Sequence, residues 1–172
     1  MAERFDVLVE GISEQKALSL LMAQTSSLQR PADRYFAATR LGLSDSKETL
    51  DALLMATSNL KIEELYDRIT RRKAIESLGR RKDKRAIPAL VDVLHCSDTE
   101  AVINSIYALI RINWDPTEED RELLLSLLDG ECTQVRAVIQ AHTRLGIKHL
   151  KAEKAIYEPV SYTHLTLPTT GV

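Results

Sequence analysis

Apolar residues recur along this chain in short runs with a helical period, separated by turn-forming residues. Four runs end alike: YFAATRLG at 35–42, RKAIESLG at 72–79, IYALIRIN at 106–113 and VIQAHTRLG at 138–146. Their last residues are Gly42, Gly79, Asn113 and Gly146, spaced 37, 34 and 33 apart. Gly or Asn at that place predicts a helix closed by a left-handed residue. One residue earlier comes an apolar side chain: Leu41, Leu78, Ile112 and Leu145. Five residues before each end comes alanine: Ala37, Ala74, Ala108 and Ala141. A small residue fixed inside a helix predicts that another helix approaches closely there.

A second helix is predicted in each of the first three units. Eleven residues after the end mark come Leu53, Leu90 and Leu124, followed by Leu54, Val91 and Leu125. The third unit opens its second helix with Asp115-Pro116-Thr117-Glu118, which predicts Asp115 as N-cap with Pro at the first helical position. Asp45-x-x-Glu48 predicts the same in the first unit. Ser13 is a predicted N-cap for a helix over 14–24. Two stacked helices per unit of this length predict an α-solenoid. The Trp and Tyr of tetratricopeptide repeats are absent, and the form AIPALVDVL fits HEAT-like repeats. The expected fold is all-α, a HEAT-like α/α superhelix of about four two-helix repeats over 31–159. Residues 1–30 are expected to form a helical cap on the open end of the stack.

The end of the chain breaks this pattern. The stretch VSYTHLTLPTTGV, from Val160, carries no charge and departs abruptly from the Leu/Ala/Glu/Lys composition before it. It resembles an in-frame translation of a transposon-based sequencing-library adapter. Residues 160–172 are therefore expected to be non-native and carry no functional argument.

Composition narrows the class. Of 172 residues, 44% are apolar, 28% charged and 5% aromatic, which favours a helical globular domain with a real core. The start, MAERFDVLVE, is not a secretory signal, and no apolar run is long enough for a membrane span. Two cysteines, Cys96 and Cys132, make no disulfide framework, so a cytoplasmic location is expected. Net charge is −2 but unevenly placed: residues 66–85 carry +6 and residues 98–131 carry −7. Such a division predicts a surface that orients a partner.

The basic block contains one helix, YDRITRRKAIESLGRRKD at 66–83. On a helical wheel of about 100° per residue, Ala74, Ile75 and Leu78 share the inward arc, with Arg71 inside it. Arg34 occupies the same slot of the first repeat, eight residues before its end mark. Arg34 and Arg71 are read as structural residues in the seam between repeats, paired with Asp33 or Asp67, because an unpaired buried guanidinium is costly. Arg72, Lys73 and Arg80 fall on the opposite arc, while Arg81, Lys82, Lys84 and Arg85 lie at the following turn. Exposed ion pairs contribute only about 0–1 kcal/mol each, so clustering these cations points to an anionic ligand. Nucleic acid does not fit a pI near 6.1 with an acidic block alongside.

The span 32–158 resembles the HEAT-like, E/F-type bilin lyases of cyanobacterial phycobiliproteins, in a phycoerythrin-related branch. The residues that carry the resemblance are PADRYFAATRLG, YDRITRRKAIESLGRRKD with RAIPAL, and VRAVIQAHTRLG. It implies attachment of a linear tetrapyrrole, phycoerythrobilin or phycocyanobilin, to a cysteine of a phycobiliprotein α or β subunit near the phycobilisome. A second lyase subunit, forming a heterodimer, is often involved. The pigment is a substrate, not a resident cofactor. Its two propionates match arginine forks, so Arg72, Arg80 and Arg81, supported by Lys82, are the expected bilin contacts. Tyr66 and Asp67 are candidates for the pyrrole nitrogens or for proton transfer. A ligand on the second-helix side would instead meet Asp92, His95 and Met55. The competing reading is a non-catalytic scaffold or chaperone that grips the apo-subunit.

Other groups carry weaker signals. His95-Cys96 resembles the His-Cys pair of isomerising members, but its flanks, Leu94 and Ser97-Asp98, differ from theirs, and an ordinary helix end is the expectation. Cys132 lies in a Gly130-Glu131-Cys132-Thr133 turn and is read as a free thiol. His142 is expected in a repeat seam, and Trp114 as a loop-packing residue. No metal-ligand spacing, His-Glu dipeptide or Gly-rich phosphate loop is present.

Overall fold

The computed structural model describes residues 11–23, 32–59, 63–129 and 132–146. The N-terminal ten residues and the 160–172 tail lie outside them. Among the described residues there are eight α-helices and no strand. They are α1 (Glu14–Met22), α2 (Asp33–Leu41), α3 (Lys47–Asn59), α4 (Leu65–Arg81), α5 (Ile87–Val93), α6 (Thr99–Ile112), α7 (Glu118–Ser126) and α8 (Cys132–Leu145). Helices α2, α4, α6 and α8 pack side by side as one layer. Helices α3 and α5 pack on each other and on that layer, and α1 packs against α2 and α3. The fold is thus an all-α, HEAT-like solenoid.

The repeat register holds in the core. Ala37, Ala74, Ala108 and Ala141 are all buried, as are Leu53, Leu90 and Leu124 of the second helices. Leu54, Val91 and Leu125, one residue on, are half-buried. Ser13 caps α1 by accepting a hydrogen bond from the Lys16 N–H. Trp114 is buried and its backbone N–H donates to Leu109 O. His142 is buried too.

Two turn expectations are corrected. Thr117, not Asp115, caps α7: its hydroxyl accepts from the Asp120 N–H at 3.2 Å, while Asp120 accepts from the Thr117 N–H at 2.9 Å. This reciprocal capping box outcompetes the Asp-Pro start and leaves Pro116 buried ahead of the helix. In the first unit Asp45 is exposed, and the Ser46 hydroxyl meets the Thr49 N–H at the start of α3.

The glycines also play another part than expected. Asn113 and Gly146 do take left-handed φ values of 57° and 67°. Gly42 and Gly79 do not. Gly42 has φ −66°, and α4 runs through Gly79 to Arg81, where Lys82 takes the left-handed residue at φ 56°. Both glycines serve close approach instead. A Cβ on Gly42 would lie 2.7 Å from Ser77 Cβ, and one on Gly79 would lie 2.6 Å from the Ala108 Cα. Helix α4 therefore meets α6 backbone to backbone.

Candidate functional site

The basic segment is organised by its neighbours. Helix α4 has α2 on one flank, α6 on the other and α3 behind, so little of its circumference is left to solvent. Lys73, expected outward, is buried: its ammonium lies 5.1 Å from the Tyr35 ring centroid and pairs with Glu76 at 2.8 Å.

Arg72 lies against Asp98, the N-cap of α6. Its Nε donates to both carboxylate oxygens at 3.0 and 3.1 Å, and its Nη2 donates to Oδ1. Burial would push the Asp98 carboxyl up, but the hydrogen bond and charge of Arg72, the Ala101 N–H and the charge of Arg68 outweigh it and hold it below its ordinary value. The same hydrogen bond raises the Arg72 guanidinium. Glu76 behaves likewise: burial pushes it up, but Lys73 and then Arg80 bring it below the usual range.

A pH prediction follows for Asp98. Its folded-state pKa is depressed, so the unfolded chain takes up the proton first as pH falls. The stabilisation is complete above the ordinary aspartate value of 3.8 and is lost as pH falls through the lower folded value. Asp98→Asn keeps an oxygen for the Ala101 N–H but removes the charge. It is expected to lower stability at neutral pH and to flatten the acid loss, read as urea midpoints by circular dichroism from about pH 5 to about pH 3. An acid slope identical to that of the unaltered chain would remove this pair from the account.

Arg81 turns back into the first unit. It donates to Leu41 O at 3.3 Å, Thr49 Oγ1 at 2.8 Å, Ser46 O at 3.1 Å and Ser44 O, fixing the α2–α3 turn. Arg80 is half-buried and pairs with Glu76 at 3.2 Å. Arg85 pairs with Asp83. Among the described residues, Arg68, Lys82 and Lys84 are the cations of 66–85 with no hydrogen-bond or ion-pair partner. Of the four expected bilin contacts, then, Lys82 is exposed, Arg80 is half-buried and would give up its pair with Glu76, and Arg72 and Arg81 meet a ligand only by giving up several bonds within the protein.

Arg34 and Arg71 occupy the seams. Arg34 donates Nε and Nη2 to Leu21 O at 3.3 and 3.1 Å and Nη1 to Asp67 at 2.5 Å. Arg71 donates to Thr57 O at 2.8 Å and to Cys96 Sγ at 3.1 Å. Ser105, in the same slot of the third unit, donates to Leu90 O at 2.6 Å. In each of the first three units this slot satisfies a carbonyl in the last turn of the preceding helix; in the fourth it holds Val138, which has no side-chain donor. Sequence reading missed Ser105, although counting eight residues back from Asn113 finds it.

Of the proton-transfer candidates, Asp67 is half-buried and held by Arg34, whereas Tyr66 is exposed beside it. Asp92, His95 and Met55 are all exposed on the second-helix side, and Cys96 is half-buried. The side chain of Cys132 lies outside the described set. Among the described residues no group of three His, Cys, Asp or Glu could hold a metal ion, and no helix is long and apolar enough to cross a membrane.

Residues 60–142 match the HEAT repeats family. Over 138 residues the chain is 30% identical to the uncharacterized phycocyanin operon protein Y of Pseudanabaena tenuis (strain PCC 7409), an alignment covering 80% of this chain and 32% of that protein. The chain thus spans about a third of the length of the curated relative it matches.

Proposed function

We propose that this chain is a bilin lyase, or one subunit of such a lyase, of the E/F type, acting on a phycobiliprotein α or β subunit. The observation that carries the reading is the similarity, over most of the chain, to a protein named for the phycocyanin operon. The tandem helices supply an extended surface able to hold a protein acceptor and a long, flexible pigment together. In the reaction the acceptor cysteine's thiolate adds to the ethylidene group of the tetrapyrrole, a C–S bond forms, and a proton completes the addition. Holding the pigment in one conformation is the main contribution of such a protein. In this reading Arg80 and Lys82 take the propionates, and Tyr66, exposed at the other end of α4, is the proton donor. Arg72 and Arg81 act as framework under this surface.

Co-expression with a bilin-producing pathway and the acceptor subunit tests the proposal. A covalent, fluorescent product that depends on this protein is the expected result, and Arg80→Ala with Lys82→Ala is expected to weaken bilin binding about tenfold or more. Product formed at the same rate without the protein rules out the lyase. One observation favours a second reading, a chaperone of the apo-subunit: three of the four arginine and lysine contacts expected for the pigment are engaged within the fold. Improved subunit solubility without faster attachment would be its signature.

A further inference from the structure

A second cationic feature lies apart from α4's basic end. Between α4, α6 and α8 runs a groove of about 300 Å³, with Tyr107, Arg111, Gln140 and Arg144 among its lining residues. These four residues are two repeat-equivalent pairs. Tyr107 and Gln140 stand six residues before the end marks Asn113 and Gly146, and Arg111 and Arg144 stand two before them. Within each helix the pair is spaced i, i+4, so both members share one face. The solenoid translation thus sets two guanidiniums on adjacent helices, whose axes lie about 8–10 Å apart.

Both arginines are exposed, and among the described residues neither has a hydrogen-bond or ion-pair partner. This distinguishes them from the arginines of α4, which are mostly tied to neighbouring elements. The carboxylate of Glu76, which also lines the groove, is already paired with Lys73 and Arg80. Its apolar lining comes from buried Ala108 and half-buried Ile110. Apolar surface, a half-buried tyrosine and exposed arginines are the anatomy of a protein contact. A small-molecule site, by contrast, encloses most of its ligand. We propose that this groove docks an acidic segment of a partner protein, with Arg111 and Arg144 each taking a carboxylate. The inference goes beyond the lyase reading and does not depend on it.

The test uses the full chain and a fluorescein-labelled hexaglutamate peptide, followed by anisotropy at low and moderate salt. Binding is expected to weaken as salt rises. Arg111→Ala with Arg144→Ala is expected to reduce affinity about tenfold or more, with helical content by circular dichroism unchanged. Lys47→Ala with Lys84→Ala, which removes two exposed cations elsewhere, is expected to leave affinity within about twofold. The proposal is overturned if the peptide does not bind, if the two double variants weaken it equally, or if succinate displaces it at equal concentration, which would mark a small-dicarboxylate site. It is also overturned if the unaltered chain sediments as a dimer that Arg111→Ala with Arg144→Ala dissociates, since the occupant would then be a second copy.

Discussion

Replacing Arg34 by Ala is expected to cost about 3–5 kcal/mol of unfolding free energy, the largest single effect in this protein. Only 3% of the residue is exposed. Its guanidinium joins three elements, bonding the last turn of α1 through Leu21 O and the first turn of α4 through Asp67. Removing it takes a charged partner from the largely buried Asp67 and leaves a helix-end carbonyl without its donor, and both are costly. Arg34→Lys rescues little, because an ammonium cannot reach both acceptors with the planar fork's geometry. Replacing Arg34 and Asp67 together by Leu is expected to recover much of the loss, since both members of the buried pair are then replaced by apolar side chains. Urea unfolding followed by circular dichroism measures all of these. A loss under about 1 kcal/mol for Arg34→Ala would show that the seam does not depend on this side chain.

The second large effect is expected at Gly79, where Ala should destabilise the chain by about 1–3 kcal/mol. Helix propensity alone predicts the opposite sign, a gain of about 0.5–1 kcal/mol for Gly→Ala within a helix. The contact decides between them. The new Cβ would sit 2.6 Å from the Ala108 Cα and 2.7 Å from its Cβ. The first of these is backbone, so a rotamer change cannot relieve it; α4 and α6 must separate and open the packing around buried Leu78 and Ile106. A rise in thermal midpoint for Gly79→Ala would mean that the two helices are not in backbone contact.

Much of this architecture was legible in the sequence because it is periodic. The alanine and leucine positions recur at nearly fixed spacing; the four alanines and Leu53, Leu90 and Leu124 are buried where the register places them. The need of Arg34 and Arg71 for partners could be read for the same reason, and Arg34 meets the expected Asp67, whereas Arg71 meets Thr57 O and Cys96 Sγ instead of an aspartate. What sequence reading misjudged was the rest of the basic helix. A wheel has one inside and one outside, which describes a helix packed on one face. Helix α4 is flanked on two sides and backed by a third helix, so Lys73 and Arg72, drawn as outward, meet Tyr35, Glu76 and Asp98. The Gly79 end mark was misread for a related reason. A glycine needed for contact with α6 looks the same in sequence as one needed for a left-handed turn. The local charge excess of residues 66–85 is largely a set of connectors, with their acceptors carried by other elements.

The Arg81 contacts also bear on how the array comes apart. The turn joining α2 to α3 contains Leu43, Ser44 and Asp45, with neither a proline nor a left-handed residue to set its course, and its carbonyls are held by a side chain from the next unit. The first hairpin thus takes its conformation from its successor, and its intrinsic stability is small beside its coupling to that successor. In a linear array with such strong coupling, the first two units melt as one cooperative block, and fraying that begins at the N-terminal end cannot stop between them.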